Sequence, residues 1–245
     1  MAVNQQDKAK GVVDIVFVID VSGSMQESIN DLSANIATFV DSLVHPADAN
    51  DAAPVKDWRA KVFAYRDVLD SKDEAFVDNP FVRDALALRA QLQSLDAKGG
   101  GDEPESALDA LFKVATMGTT DRDAPEDASK WRYRSAAARV AILFTDASCH
   151  LSMSIPEAKG GTMLDLFNVL MSNRIILSIF APDMPCWDDL SQVQRSEYMP
   201  IAYDKSRKDG AVIALKEFTK DQANFKNTLK QLAASVSKSA ETPEL

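Results

Sequence analysis

Residues 11–25 read GVVDIVFVIDVSGSM. The apolar run 12–19 is interrupted only by Asp14, is short and rich in β-branched residues, and is unsuited to a solvent-facing surface; it reads as a strand buried on both faces. It ends abruptly at Asp20. The turn Asp20-Val21-Ser22-Gly23-Ser24 then sets one carboxylate and two hydroxyls at alternate positions, with Gly23 relieving the tight backbone. Three small oxygen ligands aimed at one spot suit a hard divalent cation, Mg²⁺ or Ca²⁺, rather than zinc, which prefers nitrogen and sulfur. Taken alone the motif is weak, because a Ser that opens a helix is most often an N-cap and an Asp at a strand end is often only a turn former.

Downstream, Met25, Ile29, Leu32, Ile36, Phe39, Val40 and Leu43 recur by threes and fours, which predicts an amphipathic helix starting where the turn ends, with Ser24 as both N-cap and ligand. His45-Pro46 stops it. A second strand is expected over 58–65 and an edge strand over 75–77. Asn79-Pro80 is read as the cap and first turn of a helix carrying Val82, Leu86, Leu92 and Leu95. The loop Gly99-Gly100-Gly101-Asp102-Glu103-Pro104-Glu105-Ser106 follows. Its three glycines allow close backbone approach, and Pro104 is read as opening a helix with Leu108, Leu111, Phe112 and Ala115 on one face. Acidic residues at a helix start also suit the dipole, worth about 0.3–1 kcal/mol each. Residues 118–135 read as a surface excursion anchored by Trp131 and Tyr133. A third strand, 139–144, ends in Thr145-Asp146-Ala147, so a second apolar run terminates in an aspartate. A helix over 162–171, a strand over 175–180, a short helix over 187–198 and a last strand over 211–215 are expected next. The final helix is assigned a capping box, Thr219 to Gln222, with Phe225, Leu229, Leu232 and Val236 on one face.

Strands thus alternate with helices, and no linker divides two cores. The expectation is one α/β domain over 11–238, with a flexible segment at 1–10 and a flexible tail at 239–245. Its sheet is Rossmann-like and doubly wound: six-stranded, mostly parallel, with one short antiparallel edge strand and helices on both faces. Such sheets bind ligands outside the carboxyl ends of their strands, the edge to which Asp20 and Asp146 belong.

The chain has 245 residues, 46% hydrophobic and 26% charged, the composition of an ordinary globular protein. A net charge of −10 and a pI near 4.7 argue against nucleic acid or an anionic membrane as the main partner. The stretch MAVNQQDKAK lacks the apolar core of a signal peptide, and the run after it is too short to span a bilayer, so the expected location is cytoplasmic. Cys149 and Cys186 are too few for a secreted disulfide framework, and free thiols are expected. Asp67, after the second strand, is either a turn-forming surface residue or an outer acceptor near the metal. His150 reads as a solvated loop histidine.

Together, Asp20, Ser22, Ser24, the 99–105 loop and Asp146 resemble the von Willebrand factor A domain and its metal-ion-dependent adhesion site, in element order as well as motifs, from about Val12 to Val236. The resemblance implies Asp20, Ser22, Ser24, Glu105 and Asp146 as metal ligands, Asp146 acting through water. The middle loop departs from the commonest pattern, in which a threonine follows the glycines. Its Gly-Gly-Asp-Glu-Pro-Glu is similar to the integrin β-subunit version, which assigns Glu105 to the metal and Asp102 to the vicinity of a neighbouring cation. The implied cofactor is Mg²⁺, with Mn²⁺ or Ca²⁺ as substitutes. The implied function is a non-catalytic, metal-dependent protein-interaction module, an intracellular adaptor for an ATPase, kinase or other effector whose Asp or Glu completes the coordination. If the sheet has the family's order, Cys149 and Cys186 follow neighbouring strands, where a redox-sensitive bridge can form. The alternatives are a metal-dependent hydrolase of phosphatase type, which normally carries a second acid where this chain has Ser22, and a purely structural subunit.

Overall fold

In the computed structural model, which describes residues 11–46, 53–70, 74–99, 103–193 and 196–241, the run opened by Val12 is the central strand. This strand, β1 (Val12–Asp20), points Val13, Ile15, Phe17 and Ile19 into one apolar cluster and Val16 and Val18 into the other. It pairs in parallel with β2 (Asp57–Tyr65) on one side and β4 (Ala138–Phe144) on the other. The short β3 (Phe76–Asp78) runs antiparallel on β2, while β5 (Ile175–Pro182) and β6 (Glu197–Ile201) continue the parallel set. The order is β3-β2-β1-β4-β5-β6, a mixed α/β sheet of Rossmann-like type with an antiparallel edge.

Helices α1 (Gln26–Val44), α2 (Ala85–Gln93) and α7 (Gln222–Glu241) pack on one face, with Leu215 of α6 (Gly210–Lys220) beside them. Helices α3 (Ala107–Thr116), α4 (Met163–Ser172) and α5 (Pro185–Leu190) cover the other. The α1 stripe is buried as its spacing predicts, Ile29, Leu32, Ile36, Phe39 and Leu43 all being 2% exposed or less.

Three expectations are corrected. The stretch around Ala211 is not a strand: it lies in α6, and the last strand is β6, which begins at Glu197, at the end of the stretch expected to be helical, where α5 covers only the first part. A continuous run Ala-Val-Ile-Ala-Leu does not separate the two periods, but the buried residues Ala211, Leu215 and Thr219 recur every fourth position, as a helix requires. In β6, Pro200 is tolerated because the strand is at the sheet edge. The final helix is capped by Asp221 rather than Thr219: Asp221 Oδ1 accepts from Asn224 N at 3.1 Å, while Thr219 Oγ1 donates back to Lys216 O inside α6. Helix α2 is likewise capped by Asp84, which accepts from Leu86 N, rather than by Asn79. Helix α7 continues through Glu241, with Ala240 buried. Residues 1–10 and 242–245 lie outside the described residues.

Asp14, the one polar break in β1, is fully buried and organises the amino end of the sheet. Its carboxylate accepts from Arg59 Nε at 2.8 Å, Arg132 Nε at 2.7 Å and Arg132 N at 2.7 Å. Arg132 and the buried Trp131 belong to the segment read as a surface excursion, which folds back onto β2 and α3: Trp131 Nε1 donates to Val114 O at 2.9 Å.

Candidate metal centre

Strands β1 and β4 are adjacent and parallel, and the chain leaves them toward opposite faces, into α1 and toward α4. Their carboxyl ends therefore border a crevice at a topological switch point, where doubly wound sheets place ligands. Asp20 closes β1 and Asp146 follows β4 after Thr145.

Asp20 is fully buried. Its Oδ1 accepts from Ser22 N at 2.8 Å and its Oδ2 from Thr145 Oγ1 at 2.7 Å. The Ser22 and Ser24 hydroxyls lie 3.3 Å apart, and Ser24 also bonds the Asp146 carboxylate. Ser24 is not the N-cap expected of it. Ser22 occupies that position of the 3-10 turn Gly23–Met25 and makes no side-chain cap bond, and Met25 precedes α1. Both hydroxyls are thus turned from the helix toward the carboxylates. Gly23 lets the glycine loop lie against this turn: its N–H donates to Gly99 O at 2.9 Å, and a Cβ there would stand 3.2 Å from that oxygen.

Glu105 precedes α3 instead of lying in it. Its N–H donates to Ser148 O at 3.0 Å and its carbonyl accepts from His150 N at 3.1 Å, a two-bond bridge to the strip after Asp146. This bridge brings the middle loop to the crevice. The residue is 2% exposed, and its Oε2 is buried without a hydrogen-bond partner. Burial, then the charges of Asp20, Asp67 and Asp146, push its carboxyl up to about 8. Burial and Asp20 push Asp146 up to about 7, against the Ser24 hydrogen bond. Burial raises Asp20 too, opposed by its bonds from Ser22 and Thr145. Three carboxyls share one low-dielectric region in which each disfavours the charge of the others.

Asp67 is buried rather than a solvated turn residue. Its Oδ1 accepts from Ser106 Oγ at 2.9 Å and Leu69 N at 3.0 Å, and lies 3.1 Å from His150 Nε2. His150 is accordingly half-buried and held on Asp67. Asp102 lies outside the described residues. Three further groups escaped the sequence reading. Thr145 holds Asp20. Tyr65 is buried nearby with an unpartnered hydroxyl, its ionisation pushed well up by burial and the Asp20 charge. Glu103, bonded by Ser148 Oγ at 3.1 Å, adds its charge to those felt by Asp20 and Asp146. Thr145 sits one position before a residue already singled out; Tyr65 and Glu103 depend on which strands and loops become neighbours.

The donor set is all oxygen, suited to a hard cation that keeps several waters. Among the described residues no three Asp, Glu, His or Cys side chains close into a metal cage by themselves. An ion held here would draw on the Ser22 and Ser24 hydroxyls together with the carboxylates, and it would supply the partner that Glu105 Oε2 lacks.

No family model and no curated protein matches the chain. Among solved structures it is similar to the pilus adhesin SpaC of Lactobacillus rhamnosus GG in an open conformation, at TM-score 0.49 and 12% identity over 92% of this chain and 31% of that one. It is also similar to proximal thread matrix protein 1 of the mussel byssus, at TM-score 0.49 and 13% identity over 87% of this chain and 48% of that one. The chain thus spans less than half the length of either. No helix among the described residues is long and apolar enough to cross a membrane.

Proposed function

We propose that this chain is a von Willebrand factor A-type domain whose Asp20, Ser22, Ser24, Glu105 and Asp146 hold Mg²⁺, and that the ion mediates binding to a protein partner instead of catalysis. The observation that carries the reading is the buried, unpartnered Glu105 Oε2 beside Asp20 and Asp146, whose carboxylates take the Ser22 and Ser24 hydroxyls that cap no helix. Mg²⁺ supplies a positive charge at that point, and Mn²⁺ or Ca²⁺ can substitute in an all-oxygen set. Asp67, fixed by Ser106 and His150, orients the Glu105 side as an outer acceptor. A carboxylate from a partner would replace one water of the ion, which makes an Asp or Glu the recognition element. An adaptor role beside an ATPase, kinase or other effector in the cytoplasm is the setting proposed.

Two measurements test this. Saturating Mg²⁺ is expected to stabilise the fold by RT ln(1 + [L]/Kd), about 2.7 kcal/mol at a hundredfold excess over Kd, and Asp20→Ala to abolish the gain. A partner captured from host lysate should be retained by the wild type in Mg²⁺ and lost in chelator or in Asp20→Ala. Equal retention in all three, with the variant folded, would make the metal structural. Turnover of phosphate esters that vanishes in Asp20→Ala would make the domain an enzyme.

A further inference from the structure

Cys149 and Cys186 take no part in the proposed cation site, yet one of them is joined to it through the backbone. Cys149 lies in the strip that follows β4, and Cys186 is the second residue of α5, which follows β5. Because β4 and β5 are adjacent and parallel, the two segments emerge side by side. Cys149 is 4% exposed, Cys186 is half-buried against the same apolar cluster, and both are free thiols. The two thiols influence each other's ionisation: Cys186 raises that of Cys149, and Cys149 lowers that of Cys186. Cys149 is also the residue bridged to Glu105, through the bonds at Ser148 O and His150 N.

We propose that Cys149 and Cys186 form a reversible disulfide, a redox modification site whose closure ties the 148–150 strip, and Glu105 with it, to the start of α5. Cys186 is the thiol that meets the oxidant, being the more exposed of the two. The Cys149 contact and the backbone amides around Cys186 favour its thiolate. The oxidant is a hydroperoxide. The Cys186 sulfur attacks its terminal oxygen, an S–O bond forms as O–O breaks, and the leaving oxygen departs as water or alcohol after taking a proton. The Cys149 sulfur then attacks Cys186, S–S forms as S–O breaks, and a second water leaves with the Cys149 proton. Two electrons pass from the thiol pair to the peroxide, and a dithiol reverses the bond by exchange. None of these steps needs the cation, so the proposal stands apart from the metal reading.

The test treats the full chain with hydrogen peroxide in chelator, alkylates the remaining thiols, and maps peptides by mass spectrometry. The expected product is a monomer with a single Cys149–Cys186 cross-link, cleared by dithiothreitol. Amide exchange at Glu105 and His150 should slow by about tenfold in the oxidised form, as local opening of the strip is suppressed. In Cys149→Ser the reaction should stop at a Cys186 sulfenic acid that dimedone traps. Cys186→Ser, which disturbs only a half-buried position, should give no cross-link. Two alkylatable thiols after oxidation, a disulfide-linked dimer, or a cross-link that leaves exchange at Glu105 unchanged would each overturn the proposal.

Discussion

At the scale of single residues, two buried acids behave in opposite ways because of their partners. Asp14 is matched by two arginines, and removing it leaves both guanidinium groups without their shared carboxylate. Asp14→Ala should cost about 3–5 kcal/mol in urea unfolding, as breaking a buried pair does, while any surviving fold keeps its response to Mg²⁺. Glu105 has no such partner. Glu105→Gln should raise the melting temperature in chelator at about pH 8, because a neutral amide, unlike the ionised carboxylate, is not repelled by Asp20 and Asp146. It should also remove the gain on adding Mg²⁺. A stabilisation of about 1 kcal/mol would appear as roughly 2–4 °C in a chain of this size. Asp20, Ser22, Ser24 and Asp146 were legible because each follows an apolar run that stops abruptly. Asp14 looked like a mere interruption, since its meaning depends on Arg59 and Arg132, far away in sequence.

At the scale of elements, periodicity identified β1, α1, β2, β4 and β5, whose apolar residues either run unbroken or recur at clear helical spacing. It failed at the carboxyl-terminal third, where a five-residue apolar run fits both periods and an edge strand contains proline. The length of α6 and its entry geometry settle the matter. Gly210, its first residue, sits so close to the preceding loop that an added Cβ would lie 2.2 Å from Asp204 O. Gly210→Ala should therefore displace the β6–α6 connection and cost about 1–3 kcal/mol, readable by thermal melting, with Mg²⁺ response retained. At the middle loop, the glycines suggested close approach, and the Gly23 N–H bond to Gly99 O supplies it. The bridge from Glu105 to Cys149 was not legible, because pairing between two loops leaves no periodic trace.

At the scale of the whole molecule, the crevice between β1 and β4 collects acids from distant parts of the chain, and folding must bring them together. Glu105 titrates near 8 and Asp146 near 7 when folded, against ordinary values of 4.5 and 3.8. Between those limits the folded chain holds more protons than the unfolded one, so metal-free stability should rise as pH falls from about 8 toward 5 and fall as pH rises. Saturating Mg²⁺ takes the place of those protons, so its stabilising effect should be largest near pH 8 and shrink toward pH 5. Melting curves across that range, in chelator and in Mg²⁺, give the comparison. The most direct measurement is calorimetric titration of Mg²⁺ into the metal-free chain at about pH 8, beside Asp20→Ala and Glu105→Gln. One ion bound by the wild type, with proton release and with binding lost in both variants, is the predicted result. Absence of saturable binding to the folded wild type, or equal binding to all three proteins, would contradict the assignment of a cation to this crevice.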